Sequence, residues 1–179
     1  MTQVGSVYGE ALYELACGEG LEKTILEELT VLDESFRQEP GFIKLLCSHS
    51  LPKQERCQVL DDSFRGKIQP YLLNFLKILT EKGYMHHFSH CCEAYTRHYN
   101  EAHNILSVRA VTAVPMTDSQ KDALTQKLTR ITGKTILLDN RVDCSCLGGV
   151  RLDYDGQRLD DTISHRMASI RDLLKNTVL

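Results

Sequence analysis

The chain has 179 residues, a length typical of one large domain or two small ones. Its 42% hydrophobic and 25% charged residues are ordinary for a globular protein, and no apolar run reaches the ~18 residues of a membrane-spanning helix. A net charge of −3 without any basic run excludes the pattern typical of nucleic-acid-binding proteins. We therefore expect neither nucleic-acid binding nor direct membrane insertion.

Seven cysteines at irregular spacing indicate reduced thiols, because a secreted disulfide framework tends to an even number. The N-terminal sequence has neither the basic nor the apolar region of a secretory signal peptide. Both features predict a cytosolic protein.

The charge and the type of acidic residue change near residue 105. Residues 1–105 hold 10 Lys+Arg against 15 Asp+Glu, whereas residues 106–179 hold 11 against 9. All twelve glutamates precede residue 102, and every later acidic residue is aspartate. Because glutamate favours helices and aspartate favours turns and caps, we expect two domains of different architecture, residues 1–104 and residues 105–179.

The first predicted domain consists of six helices. Apolar residues recur at the spacing of an amphipathic helix in six segments, separated by glycine, serine or proline breaks. The segments begin near Val4, Leu21, Gly41, Pro52, Pro70 and Tyr84. Six helices with short connections predict an antiparallel bundle.

The second predicted domain is a small mixed α/β unit. Residues 104–114 alternate in the manner of a strand, and Thr117 with Gln120 forms a capping box that opens a helix. Residues 135–142 predict a second strand, and Asp155-Gly156 is a strong hairpin signal. A last helix should point Ile163, Met167, Ile170 and Leu174 inward. The order is β-α-β-β-β-α, and the fold class of the whole chain is α+β.

Residues 147–167 combine a Gly-Gly pair, several aspartates and a His-Arg pair, which could indicate a phosphate or metal site. Their spacing fits neither a calcium loop nor a G-x-G-x-x-G dinucleotide fingerprint. Close backbone approach at a strand start explains Gly148 and Gly149 better, and capping of the last helix explains Asp160 and Thr162. We therefore interpret this stretch as structural, with no metal or cofactor.

The histidine-rich segment is also a poor candidate for a metal site. His86, His90 and Glu93 share the solvent face of the predicted sixth helix, where they could bind adventitious zinc. Three ligands from one exposed helix make a poor structural site. Sequence motifs of serine hydrolases, phosphate-binding loops and zinc proteases are absent from the sequence. Nothing in these patterns supports catalysis, although a site assembled in space stays an alternative.

The first and fifth predicted helices are unusually apolar. Their apolar arcs span about 180° and about 220°, against somewhat over 100° for an ordinary surface helix. One explanation is that these helices lie in the middle of the bundle. The other is that part of each arc lines a groove for an amphipathic helix of a partner protein. Both explanations can hold at once.

Three segments of the chain carry a family resemblance. They are YGEALYELA, VTAVPMTDSQKDALTQKL and VDCSCLGGVRLDYDGQRLDDTISHRMASI, in which Val142, Asp143, Gly148, Gly149, Asp160, Arg166 and Ile170 fall in register. Over essentially its whole length the chain resembles the delta subunit of the bacterial F-type ATP synthase, the family of the mitochondrial oligomycin-sensitivity-conferring protein. The chain departs from the family pattern at Cys146, at Asp161-Thr162 and at His165.

The resemblance implies a non-catalytic stator subunit without a cofactor, peripheral to the cytoplasmic face of the cell membrane. Such a subunit links the alpha-beta hexamer to the membrane-anchored b subunits and resists rotor torque during proton-driven ATP synthesis. The first and fifth helices would bind the N-terminal helix of an alpha subunit, and the C-terminal unit would hold the C-terminal ends of the b subunits.

The residues that we expect in the alpha-binding groove, unless they are plain core, are Tyr8, Ala11, Leu12, Leu15, Leu72, Phe75, Leu76 and Leu79. Gly148, Gly149, Asp160, Thr162 and Arg166 form the structural motif. The alternative function is a free-standing cytosolic adaptor that binds an amphipathic helix of another protein.

Overall fold

The computed structural model describes residues 3–48, 51–165 and 167. The chain divides into two compact units, Met1–Tyr99 and Asn100–Leu179, which we call the helical unit and the sheet unit. Helices alone build the first, and a four-stranded sheet lies in the second, so the architecture is mixed α+β. Within the described residues, no helix has both the length and the apolar character needed to cross a membrane.

The helical unit contains α-helices whose ends follow from proline and glycine signals. They are α1 (Gln3–Glu19), α2 (Glu22–Gln38), α3 (Pro40–Cys47), α4 (Lys53–Phe64), α5 (Pro70–Lys82) and α6 (Phe88–Ala102), whose last turn extends past Tyr99 into the second unit. Pro40 and Pro70 begin their helices, where a missing N–H costs nothing. Gly83 ends α5 in the left-handed region, with a φ of 75° that favours glycine.

Two boundaries differ from the sequence-based prediction. A 3-10 turn, Met85–His87, precedes α6, so the sixth helix does not run unbroken from Tyr84. Pro52 is the N-cap of α4 and not a residue of its first turn, since its ψ of 148° is extended. Ser50, the predicted cap, lies outside the described residues.

The core of the helical unit is built around aromatic rings. Phe36 of α2 packs on Phe42, Phe64 and Phe88, with ring centroids 5.5, 6.2 and 5.1 Å away. Buried leucines from α1 to α5 surround these rings. Helices α2 to α6 therefore share one hydrophobic core, and burial of this core is the main source of stability for such a unit.

Helices α1 and α6 approach closely at Gly9. A Cβ added there would lie 2.6 Å from the Cys91 carbonyl oxygen and 2.7 Å from the Ala94 Cβ. Gly5, one turn earlier, is also buried. The missing side chain of Gly9 lets the two helix backbones approach each other, and this contact fixes which face of α1 points inward.

The described part of the sheet unit includes four strands and a 15-residue α-helix. They are β1 (Ile105–Thr112), α7 (Asp118–Thr132), β2 (Thr135–Val142), β3 (Val150–Tyr154) and β4 (Gln157–Asp160). The strand order is β2-β1-β3-β4, with β1 and β2 parallel through α7 and the other neighbours antiparallel. The capping box is present, because the side chains of Thr117 and Gln120 each accept the backbone N–H of the other residue.

One face of the sheet carries the core of this unit. Leu106, Val108 and Ala110 of β1 are buried with Ile136 and Leu152 of the neighbouring strands. Half-buried leucines of α7 pack against them. The prediction that Ile163 and Met167 face inward is wrong, since both side chains are exposed. Ile170 and Leu174 lie outside the described residues.

Candidate partner-binding surfaces

Helix α1 presents two different apolar faces. Gly5, Gly9, Leu12 and Ala16 are buried on one face. Val7, Ala11 and Leu15, spaced four residues apart on another face, are exposed, Val7 by 58% and Leu15 by 43%. Residues at this spacing lie one above the other along a helix. We call these three residues the α1 stripe.

Helix α5 lies beside α1 and runs in the opposite direction. The ring of Tyr8, early in α1, lies 5.9 Å from that of Tyr84, just after α5. At the other end, Tyr71 of α5 hydrogen-bonds the side chain of Glu19, and this bond raises the pKa of Tyr71 above its usual value. The two contacts place the α1 stripe next to α5.

Helix α5 itself is mostly enclosed. Leu72, Leu76 and Leu79 are completely buried, and Phe75 is 6% exposed. Ile78 is 45% exposed, and Tyr71 is half-buried. Tyr71 and Ile78 are two turns apart, so they share one side of the helix. The wide apolar arc of α5 therefore serves chiefly the core and leaves a narrow apolar edge outside.

The eight predicted groove residues consequently divide into two sets. Tyr8 is half-buried, and Ala11 and Leu15 are exposed. The other five, Leu12, Leu72, Phe75, Leu76 and Leu79, belong to the core of the helical unit. A side chain enclosed by its own unit offers little surface to a partner, and at these five positions the core interpretation accounts for the burial.

The Gly-Gly pair lies where two backbone segments cross. A Cβ on Gly149 would sit 2.5 Å from the Asp161 carbonyl oxygen, and one on Gly148 would sit 2.9 Å from the Ile163 Cδ1. The Gly148 carbonyl accepts the Ile163 N–H at 3.0 Å. Gly149 also has a φ of 80°, which favours glycine. The geometry accounts for the pair without a ligand.

The aspartate after β4 organises the next turn. One Asp160 carboxylate oxygen accepts the Thr162 N–H at 3.0 Å and its hydroxyl at 2.7 Å, and the Thr162 hydroxyl accepts the His165 N–H at 3.2 Å. These bonds to Thr162 lower the pKa of Asp160. Arg166, the fifth predicted motif residue, lies outside the described residues. The Asp160 carboxylate therefore stabilises the turn that follows β4.

The histidine cluster is arranged differently from the prediction. Because of the 3-10 turn, His86 packs on His87, with ring centroids 3.8 Å apart, and His87 lies 6.1 Å from His90. Glu93 is exposed on α6. Burial, followed by the charges of His86 and His90, lowers the pKa of His87. In the described part of the chain, no three His, Cys, Asp or Glu residues are grouped so as to hold a metal ion.

The sheet face opposite α7 is charged. Arg109 of β1 pairs with Asp139 of β2 at 3.4 Å, and Asp153 of β3 pairs with Arg158 of β4 at 2.8 Å. Arg109 also lies directly opposite Asp153 in the register. Alternating charges therefore cross all four strands, and such pairs stabilise a solvated sheet face modestly.

Comparison with known proteins identifies the family. The model of the family described as ATP synthase delta (OSCP) subunit matches residues 4–174. The chain belongs to this family. The ATP synthase subunit delta of Alkaliphilus oremlandii is 30% identical over 176 residues, which cover 98% of each chain. That of Enterococcus faecalis is 28% identical over 172 residues, covering 96% of this chain and 95% of the relative.

A solved structure agrees with the fold of this delta-family chain. A chain in the cryo-EM structure of the Toxoplasma gondii mitochondrial ATP synthase hexamer matches with a TM-score of 0.76, over 97% of this chain and 98% of that one. At 17% identity this likeness shows a shared fold alone.

Membership of the delta family confirms the peripheral-stalk role that the resemblance implied. The protein is a peripheral-stalk subunit of the F-type ATP synthase. It is a structural subunit, and the catalytic subunits of the complex are separate chains.

Three positions were not among the predicted site residues of this delta-family chain. Val7 and Ile78 are exposed apolar residues. The sequence pattern does not distinguish them from their buried neighbours. Gly9 sets the inward face of α1, and its signal in the sequence is the small-residue pair Gly5-x-x-x-Gly9.

Proposed function

We propose that this delta-family chain links two parts of the ATP synthase at the cytoplasmic face of the membrane. Residues 1–104, as an antiparallel six-helix bundle, bind the N-terminal helix of an alpha subunit. Residues 105–179 hold the C-terminal ends of the b subunits. The link resists rotor torque by tight, slowly dissociating interfaces, and it needs neither a reactive group nor a cofactor.

The observation that carries the alpha-binding proposal is the α1 stripe. Contiguous exposed apolar side chains are typical of an interaction surface. Tyr8, Tyr71 and Ile78 extend it toward α5. Burial of one Val or Leu side chain contributes roughly 1.5–3 kcal/mol. A partner helix with apolar residues at i, i+3, i+4 and i+7 fits a surface of this kind.

Five of the eight groove residues predicted from the sequence then lie in the core beneath the surface. Leu12, Phe75 and their buried neighbours hold α1 and α5 in place, while Tyr8, Ala11 and Leu15 contact the partner. The sheet unit presents the paired charges of its open face, and charged interfaces favour orientation and rapid association more than raw affinity. Both units are thus suited to protein partners.

Co-purification with matched variants tests the proposal. The tagged chain is purified from detergent-solubilised membranes of cells that carry wild type, Leu15→Glu or Val31→Glu. Val31 is an apolar residue of α2 with 66% exposure and lies outside the stripe, so it controls for a new surface charge. We expect wild type and Val31→Glu to retain both alpha and b, and Leu15→Glu to lose alpha while keeping b.

Two results would contradict the proposal. If Leu15→Glu retains alpha as well as Val31→Glu does, the α1 stripe is not the docking surface. If the wild-type chain retains neither alpha nor b but captures another protein, the chain acts as the free-standing adaptor.

A further inference from the structure

The two edge strands of the sheet differ in length. Within the described residues, β2 and β4 each have a neighbour on one side alone. Strand β4 has four residues, and a very short edge strand limits pairing with other chains. Strand β2 has eight, and its Leu137 and Val142 are 54% and 48% exposed. A long, partly apolar edge strand of this kind is a template for pairing with another strand.

The hydrogen bonds at the two ends of β2 show which of its backbone groups face outward. The Thr135 N–H donates to the Asn104 carbonyl at 2.9 Å, and the Asp143 N–H donates to the Thr112 carbonyl at 2.8 Å. Odd-numbered residues of β2 therefore bond toward β1, and the even-numbered ones direct their N–H and C=O groups away from it. These outward residues are Ile136, Leu138, Asn140 and Val142. No hydrogen bond among the described residues reaches their backbone groups.

The side chains of β2 carry opposite charges two residues apart. Asp139 and Arg141 are exposed and lie on the charged face of the sheet. Asp139 uses its Oδ2 for the ion pair with Arg109. Arg141 has no ion pair with any other described residue. The edge strand thus presents an acid and a base in the pattern Asp139-x-Arg141.

We propose that the β2 strands of two copies of this chain pair edge to edge, antiparallel, around a two-fold axis at Asn140. In this register Leu138 lies opposite Val142 of the second copy, and Asp139 lies opposite Arg141 of the second copy. The outward backbone groups then meet in hydrogen-bonded pairs, and the charged residues fall in the non-hydrogen-bonded pairs, where side chains are closest. The same strand serves both copies, as in other two-fold interfaces.

The backbone and the charges select the same register. A slip of one residue would set outward groups of one strand against inward groups of the other and break the ladder. A slip of two residues would place either Asp139 or Arg141 opposite its own counterpart, and like charges directly opposite each other are destabilising. Parallel pairing in register would do the same for both residues. The strand is therefore complementary to itself in the antiparallel arrangement, which is why the occupant is a second copy.

The interface is small, because it consists of one strand from each copy. Interfaces below about 1,200 Å² are typical of transient complexes. The pair should therefore form reversibly and at high concentration. It involves the sheet unit and not the α1 stripe, so it stands or falls independently of the proposed binding of the alpha subunit.

Sedimentation equilibrium of the full-length chain with charge-reversal variants tests the inference. The variants are Asp139→Arg and Arg141→Asp, each alone and in an equimolar mixture. In the mixture, one cross-strand pair joins the two substituted side chains, and the other joins the native Arg141 and Asp139. Glu55→Arg and Lys53→Asp, at exposed positions of α4, make the same changes of net charge away from β2. Thermal melting of each variant checks that it is folded.

We expect wild type to be monomeric at roughly 10 μM and partly dimeric toward roughly 1 mM. Each β2 variant alone should associate at least about tenfold more weakly, because two ion pairs become two like-charge pairs. Their mixture should regain about the wild-type strength, since opposite charges again face each other. The α4 variants should stay within about twofold of wild type, alone and mixed.

Three results would overturn the inference. They are a wild-type chain that stays monomeric over this range, β2 variants that associate alone as strongly as wild type, and folded β2 variants whose mixture does not associate. Hydrogen exchange identifies another occupant. If the amides of Leu138, Asn140 and Val142 are protected in the purified synthase while the free wild-type chain stays monomeric, a strand of another subunit covers the edge.

Discussion

The two units of the chain expose surfaces of opposite character. The helical unit leaves a line of apolar side chains uncovered on α1, although its core is complete without them. The sheet unit leaves a face of alternating arginine and aspartate uncovered. Apolar area contributes binding energy, whereas paired charges contribute mainly orientation and salt dependence. The chain therefore offers partners two chemically different surfaces, one in each unit.

The largest expected effect separates core from docking surface on α5. Phe75→Glu removes a buried ring, which costs about 3–5 kcal/mol, and places an unpaired charge among apolar side chains. We expect it to unfold the helical unit. Asn74→Glu, at the exposed neighbouring position, should leave the free energy of unfolding within about 0.5 kcal/mol of wild type. Urea unfolding followed by circular dichroism measures both; a folded Phe75→Glu chain would place Phe75 outside the core.

The corresponding test in the sheet unit uses Gly149, which lies where two backbone segments cross. Gly149→Ala forces a Cβ to within 2.5 Å of a backbone carbonyl at a φ of 80°. Overpacking and left-handed strain together cost about 3 kcal/mol. Gly156→Ala has a similar φ but open space around it, so it should cost only about 1 kcal/mol. Urea unfolding of both variants measures the difference, and equal losses of stability would mean that the crossing is not tight.

A smaller effect is expected at the helix contact in the helical unit. Gly9→Ala pushes α1 away from α6 and should cost about 2 kcal/mol. Gly18→Ala, on the same helix with nothing within 4 Å, should be neutral or should stabilise by up to about 1 kcal/mol. Thermal melting of both variants measures the difference, and a Gly9→Ala chain as stable as Gly18→Ala contradicts the close approach.

The smallest effect concerns pH. The pKa of His87 lies below 6.5 in the folded chain, so the unfolded chain binds the proton more tightly. The contribution of His87 to stability is therefore complete above pH 6.5 and is lost as the pH falls below that value. Melting temperatures at pH 7.5 and 5.5 should differ more for wild type than for His87→Gln. An equal difference in both chains would argue against the histidine cluster as the cause.

Short sequence motifs predicted much of the secondary structure of the sheet unit. The capping box of Thr117 and Gln120 is present, and the predicted strand 135–142 coincides with β2, because each depends on neighbouring residues alone. Gly149 lies in a close backbone crossing, as its position at a strand start suggested. By contrast, the 3-10 turn before α6 carries no comparable signal in the sequence.

The proposed docking surface was harder to predict for a physical reason. The apolar arcs of α1 and α5 are both wide, and an arc counts apolar residues without saying which neighbouring helix covers them. Tertiary packing covers Leu72 and Leu76 but leaves Val7 and Leu15 open. The sequence pattern therefore identifies the two helices, whereas tertiary packing determines which residues of each arc are buried and which are exposed.

In the proposed function, the α1 stripe holds the alpha subunit to the stalk against rotor torque. Inverted membrane vesicles that carry Leu15→Glu or Val31→Glu are assayed for ATP hydrolysis and ATP-driven proton pumping in one preparation. We predict that Leu15→Glu keeps hydrolysis near wild type and loses most of its pumping, because the hexamer turns without a firm link, while Val31→Glu keeps both. Full proton pumping in the Leu15→Glu vesicles would contradict the claim.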